Sequence, residues 1–255
     1  MILLLAGTSD ARELAVKIRQ RGYELLTTVV TENAAKSLQK VGLPVQIGRL
    51  TAEDIEDLVR VKNVAAIVDA THPYAEEASK NAIAGAQKAN VPYIRYERES
   101  RLLYEKHDKI MVVEDYIRAA EAAAEKRGII LLTTGSKMLQ IFTERLLGFP
   151  DITLIVRMLP RKDNMEKCER LGIEQKNIVA MQGPFSKELN KAIYDHYKVT
   201  MMITKESGKV GAIDEKVEAA LEMGIDIVII ARPKLEYGTY YSDFDSVIKK
   251  LNELS

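Results

Sequence analysis

The sequence predicts an α/β protein built from two doubly wound parallel sheets with a cleft between them. Two observations carry this. Short runs of Leu, Ile and Val, apolar at successive positions instead of alternating, recur along the 255 residues. Such strands belong to parallel sheets covered on both faces. Segments with apolar residues at helical spacing separate them. The pattern pauses once, at the charged stretch ERESRLLYEKHD (97–108), and then restarts.

In order, the first part reads as strands at 2–6, 24–30, 44–48, 65–70 and 92–96. Between them ARELAVKIRQRG, ENAAKSLQKVG, AEDIEDLVRVK and AEEASKNAIAGAQKAN read as helices, several stopping at Gly or Asn. The second part reads as strands at 109–113, 129–134, 152–156, 177–181, 199–204 and 226–230, and 243–254 is a final amphipathic helix. Each part has the strand–helix alternation of a Rossmann-like domain. The division expected is 1–99, a nucleotide-binding unit, and 100–255, a substrate-binding unit.

Composition excludes several functions. Lys and Arg (37) balance Asp and Glu (37), so no basic excess exists to hold a nucleic acid backbone. The five-residue apolar run at the start is too short for a membrane span. One Cys, Cys168, allows no internal disulfide and suits a reducing cytoplasm. The expected protein is cytoplasmic, binds neither nucleic acid nor membrane, and needs no metal.

In open parallel sheets ligands sit beyond the carboxyl ends of the strands, so the residues after each strand are the informative ones. LLLAGTSDAR (3–12) runs a buried strand into a turn. A dinucleotide fingerprint places glycines at the first, third and sixth positions. Here Gly7 fills the first, while Ser9 and Arg12 stand at the others. Thr8, Ser9 or Asp10 is the helix cap, with Glu13 placed as a capping-box partner for Asp10. The helix N–H groups and the Arg12 charge favour an anion. Thr31 and Glu32 follow the second strand, and a carboxylate there either takes a ribose hydroxyl pair or serves a helix N-terminus. Gly48 and Arg49 follow the third, beside a cofactor edge or in a plain turn before the capped helix Thr51-Ala-Glu-Asp.

The most distinctive string is Asp69-Ala70-Thr71-His72-Pro73-Tyr74-Ala75. Pro73 suits the first helical position, with Thr71 or His72 as cap. His72 is a candidate proton donor or hydrogen-bond anchor. Arg95 and Arg98 at the seam suit a carboxylate or phosphate, or an interdomain salt bridge. In the second part Thr133-Thr134-Gly135-Ser136-Lys137, Arg157, Lys205-Glu206-Ser207 and Arg232 follow successive strands. Cations gathered on one edge of a neutral chain imply a ligand with several negative charges.

These strings, in this order, resemble the precorrin-6A reductases of cobalamin biosynthesis and their cobalt-precorrin-6A counterparts. The resemblance rests on GTSDAR (7–12), DATHPYA (69–75), YIRYER (93–98), TTGSK (133–137), RMLP (157–160), GPF (183–185), TKESG (204–208) and ARP (231–233). Glu99-Ser100 and Gly211-Ala212 depart mildly from the family pattern.

The resemblance implies NAD(P)H-dependent reduction of one C=C bond in a polycarboxylated corrin-type tetrapyrrole. It implies the cofactor (NADPH or NADH) on Gly7, Thr8, Ser9, Asp10, Ala11, Arg12, Thr31, Gly48, Arg49, Ala70, Thr71, His72 and Pro73. Substrate is then expected on Tyr74, Arg95, Arg98, Gly135, Ser136, Lys137, Arg157, Lys205, Ser207 and Arg232. Glu206 is the first candidate for proton handling, tuned by Lys205, with His72 and Tyr74 second and solvent as a further source. Transient contact with neighbouring pathway enzymes is compatible with this reading. The rivals are a reductase of a smaller anionic substrate and a non-catalytic two-domain regulator binding a nucleotide or sugar phosphate. Cobalt-containing and metal-free substrates both fit.

Overall fold

The computed structural model describes residues 1–97, 107–206 and 215–254. The chain divides into two compact units, Met1–Glu99 with Pro233–Ser255, and Ser100–Arg232. The first begins β1 (Ile2–Leu5), α1 (Ser9–Gln20), β2 (Leu25–Val29), α2 (Glu32–Gln39), β3 (Val45–Ile47), α3 (Ala52–Lys62), β4 (Ala66–Asp69), α4 (Glu76–Ala89) and β5 (Tyr93–Tyr96). The second contains β6 (Ile110–Val113), α5 (Tyr116–Lys126), β7 (Gly128–Leu132), α6 (Leu139–Leu146), β8 (Ile152–Met158), α7 (Lys162–Arg170), β9 (Ile178–Ala180), α8 (Lys187–Tyr197), β10 (Met201–Lys205), α9 (Glu215–Glu222) and β11 (Asp226–Ile230). The chain then re-enters the first unit with β12 (Tyr240–Tyr241) and α10 (Phe244–Glu253).

Each unit is built on one parallel sheet. The strand orders are β12-β5-β4-β1-β2-β3 and β6-β11-β10-β7-β8-β9. The first sheet is therefore completed by a strand that follows the whole second unit: β12 pairs with β5, Tyr240 opposite Arg95 and Tyr241 opposite Tyr96. This differs from the expected boundary. Residues 233–255 belong with the first unit, because α10 buries Val247, Ile248 and Leu251 in its core. A two-residue strand carries too little periodicity to be seen in sequence.

The strands are apolar throughout because both faces are covered. Ile2 and Leu4 point into one core with α1 and α10, while Leu3 and Leu5 point into the other with Ile55, Val59, Ala82 and Ala86 of α3 and α4. At the α3–α4 crossing, a Cβ on Gly85 would come within 2.6 Å of Ile55 Cγ2, so the helices approach as closely as only glycine permits. In the second unit Leu131, Ile155, Met202 and Ile227 pack beneath Ile193, Tyr194, Val217 and Ala220 of α8 and α9. Among the described residues no helix is long and apolar enough to cross a membrane.

Candidate functional site

In each sheet the chain order reverses beside a central strand, and such a switch point opens a crevice at the carboxyl ends. In the first sheet it lies between β1 and β4, since β1 pairs with β2 on one side and β4 on the other. The turn of residues 7–12 and the segment 70–75 are thus neighbours by topology. Gly7 is exposed, and nothing lies within 4 Å of the place where its Cβ would be. Of the three cap candidates Thr8 is the one used: its Oγ1 accepts from Ala11 N at 3.1 Å, and its carbonyl accepts from Arg12 N. Asp10 is buried, with Ser9 Oγ donating to it at 3.4 Å, so no capping box with Glu13 forms. Arg12 is half-buried in the first turn of α1.

Thr31 caps α2, its Oγ1 accepting from Ala34 N, and Glu32 is the exposed first residue of that helix. Gly48 and exposed Arg49 border a cavity of about 380 Å³ beside β3, with Ile47, Leu58 and Val61 supplying its apolar wall.

The segment after β4 departs from expectation. Neither Thr71 nor His72 caps α4, which starts at Glu76 with Ala75 as a cap that lacks a side-chain bond. Instead residues 72–75 close a turn, Ala75 N donating to the His72 carbonyl at 2.8 Å and Tyr74 N to His72 Nδ1 at 3.3 Å. Thr71 turns inward: both its N–H and its Oγ1 donate to Asp69 Oδ1, at 3.0 and 2.7 Å. His72 is exposed, its ring 5.6 Å from that of Tyr74.

Arg95, expected as an open substrate cation, is 0% exposed. Its Nη1 donates to Asp69 Oδ1 at 2.8 Å and Thr71 Oγ1 at 3.1 Å, and its Nε to Glu97 Oε2 at 3.1 Å. Tyr237, from the returning segment, stacks on the guanidinium at 4.9 Å and donates to Glu97. Tyr93 donates to the other Asp69 oxygen at 2.8 Å. Burial and the adjacent Asp69 carboxylate drive the Tyr93 phenol far above its usual range, while burial holds Tyr237 up at about 12. Arg95 is thus committed to its own strands by sheet topology, which places Asp69 opposite it in the register.

The second sheet has its switch point between β7 and β10. Gly135 turns the chain at φ 77° with open space beside it. Ser136 is tied to Asn164, and the Lys137 carbonyl accepts from Lys167 Nζ. Lys205 and Glu206, adjacent in sequence, have different surroundings. Lys205 lies over the Tyr116 ring at 5.8 Å, and burial, then Lys137 and Lys216, lower its pKa from the ordinary lysine value. Glu206 is buried against Arg232: Oε1 is 3.2 Å from Nε, an ion pair in distance though not an aligned hydrogen bond, and Oε2 accepts from Arg232 N. Glu206 is thus paired with Arg232, 26 residues away in the chain.

Arg157 lines a cavity of about 410 Å³ with Thr133, Met158, Leu159, Met181, Phe185 and Lys216. Its guanidinium stacks on Phe185 at 4.3 Å, and Nη1 donates to Asn190 Oδ1 at 2.7 Å. Phe185, Asn190 and Lys216 were not among the expected site residues. The Gly183-Pro184-Phe185 string was the available signal; Asn190 and Lys216 sit on helices whose pattern reads only as amphipathic. Arg98 and Ser207, and the departures at 99–100 and 211–212, lie outside the described residues. Among the described residues no cluster of His, Cys, Asp or Glu could hold a metal.

Comparison with known proteins agrees with this architecture. The family model "Precorrin-6x reductase CbiJ/CobK" matches residues 1–252. A protein of Priestia megaterium named cobalt-precorrin-6A reductase is 59% identical, over 98% of each chain. One of the same name from Methanocaldococcus jannaschii is 35% identical over 99% of this chain and 98% of its own. A solved structure titled "CobK precorrin-6A reductase" superposes with a TM-score of 0.81 at 23% identity, covering 100% of this chain and 96% of that one, which shows a shared fold.

Proposed function

The chain belongs to the precorrin-6x reductase CbiJ/CobK family, and on that premise we propose that it reduces one C=C bond of cobalt-precorrin-6A to give cobalt-precorrin-6B, using NADH. Membership makes it an oxidoreductase of cobalamin biosynthesis that acts on a C=C bond, and a nicotinamide cofactor comes with that class. The cobalt branch is supported by the names of the 59% and 35% identical relatives.

The observation that carries the cofactor reading is the switch point of the first sheet. Gly7, without a Cβ and with open space beside it, stands directly before the N-terminus of α1. The residues fit a dinucleotide. The turn would hold the pyrophosphate through the N–H groups of Thr8 and Ser9, since those of Ala11 and Arg12 are spent on the cap. Arg12 adds charge. Gly48, Arg49 and the apolar wall beside β3 suit the adenosine end, and exposed Glu32 suits a ribose hydroxyl pair, which favours NADH over NADPH. The backbone of Ala70, Thr71, His72 and Pro73 forms the other wall of the crevice.

When bound, the cofactor supplies the hydride. The protein's own part is to bind the tetrapyrrole and deliver a proton to the neighbouring carbon. Arg157, Lys216, Lys137 and Lys205 suit the substrate's carboxylates, while Phe185, Met158, Leu159 and Met181 suit an apolar ring. Lys205 holds the proton at Nζ; its lowered pKa makes it a stronger acid than a free lysine. Glu206 acts instead by fixing Arg232.

The test is anaerobic oxidation of NADH and NADPH, followed at the nicotinamide absorbance, with cobalt-precorrin-6A and with precorrin-6A. Faster NADH oxidation with the cobalt substrate is the expected result. Nicotinamide binding without oxidation by either tetrapyrrole would leave a smaller anionic substrate, and no binding at all would overturn the cofactor reading.

A further inference from the structure

We propose that Arg95 is a positioning residue for the nucleotide edge, holding the backbone of residues 70–75 in place through Asp69 and Thr71; this rests on the reading that this backbone walls the cofactor crevice. Three features carry it. Asp69 Oδ1 collects three donors, Thr71 N, Thr71 Oγ1 and Arg95 Nη1, all within 3.0 Å. Arg95 Nη1 also reaches Thr71 Oγ1, so the Thr71 hydroxyl accepts from the guanidinium while donating to the carboxylate. Arg95 is itself immobilised from its far side by Glu97 and by the stacked Tyr237.

Arg95 and Asp69 are each 0% exposed, so breaking these bonds leaves buried charged groups short of partners. A planar guanidinium spreads five donors over a rigid fork that spans two carboxylates and a hydroxyl, whereas an ammonium offers three donors from a single atom. The network ends one residue short of His72 and Pro73, where the chain turns outward. Its product is a fixed exit from β4. Preorganisation of this kind lowers the cost of ordering a binding edge when a ligand arrives.

The experiment compares wild type with Thr71→Val, Thr71→Ser and Arg95→Lys, after far-UV circular dichroism and thermal unfolding. Two readouts are taken. Hydrogen exchange of the amides of residues 70–75, without ligand, reads the positioning itself. Fluorescence titration with NADH and NADPH, with KM for the tetrapyrrole, reads its consequence. Thr71→Val and Arg95→Lys are expected to lose protection at 70–75 and to bind the dinucleotide about fivefold to twentyfold more weakly, the range of one or two lost hydrogen bonds. Tetrapyrrole KM is expected to stay within twofold, and Thr71→Ser to restore wild-type values. Should Arg95→Lys fail to fold, the Thr71 pair decides alone. Unchanged protection in Thr71→Val overturns the proposal whatever the cofactor does. Lost protection with unchanged dinucleotide affinity overturns the link to the nucleotide. A wild type that binds neither dinucleotide overturns the cofactor reading, and with it this residue's role in binding, while exchange still reports whether Arg95 positions the segment.

Discussion

Replacing Arg157 by Met should weaken binding of the tetrapyrrole while sparing the cofactor. Methionine keeps most of the apolar stem and removes the charge. The fold should survive at a cost of about 1–3 kcal/mol, because the buried Asn190 Oδ1 loses its Arg157 donor while Asn190 Nδ2 still donates to the carbonyls of Ser186 at 2.8 Å and Phe185 at 3.3 Å. What is lost is the donor to a substrate carboxylate. A hydrogen bond to a charged group contributes about 1.5–3 kcal/mol, which is a factor of roughly 10 to 150 in a binding constant. Phe185→Leu removes only the stacking partner, about 0.5–2 kcal/mol, so its effect should be smaller than that of Arg157→Met. The assay is steady-state kinetics under anaerobic conditions, varying tetrapyrrole at saturating NADH. An Arg157→Met enzyme whose tetrapyrrole KM stays within twofold of wild type would refute the placing of substrate in this cavity.

The remaining predictions concern the other charged positions. Arg12→Ala should raise the KM for the dinucleotide about fivefold, the effect of roughly 1 kcal/mol from one phosphate contact; an unchanged value would remove Arg12 from the cofactor site. Lys205→Met should cut kcat by about 10²–10⁴. In wild type, kcat should fall as pH rises through the Lys205 pKa, at a pH below the ordinary lysine value, because burial, Lys137 and Lys216 lower it. A depressed lysine also destabilises the native state below its folded pKa, and stability from this group recovers as pH rises towards the unfolded value. Lys205→Met should therefore melt higher than wild type at neutral pH, and an alkaline limb that persists in this variant would exclude Lys205 as the acid. Glu206→Gln should keep most of its turnover but lose about 3 kcal/mol in denaturant unfolding, as expected when one side of a buried ion pair is neutralised. Loss of turnover in a fully folded sample would return the proton to Glu206.

The architecture was legible because parallel strands are buried on both faces. ILLL has no polar position and AIVD only its last, Asp69, so both the strands and the helices between them could be read locally. The shared carboxyl edge of each sheet was legible for the same reason, since parallel topology alone puts the post-strand residues there. What failed was any assignment that depended on contacts distant in sequence. Thr71 looked like a helix cap and Arg95 like an open cation, because nothing local shows that they meet Asp69 and Glu97 in one buried network. Glu206 looked coupled to Lys205, its neighbour in the chain. Successive residues at a strand end face different surroundings, and its carboxylate found Arg232 instead.

The sequence by itself determined two parallel sheets and the family, because these follow from local patterns and short strings. The tertiary structure alone decided that residues 233–255 close the first sheet and its core, that Arg95 is buried between Asp69, Thr71 and Glu97, and that Phe185 and Asn190 frame Arg157. The physical reason is the same in each case. Burial and pairing of a charged group are set by what the fold brings against it, and a chain position carries no record of its partner.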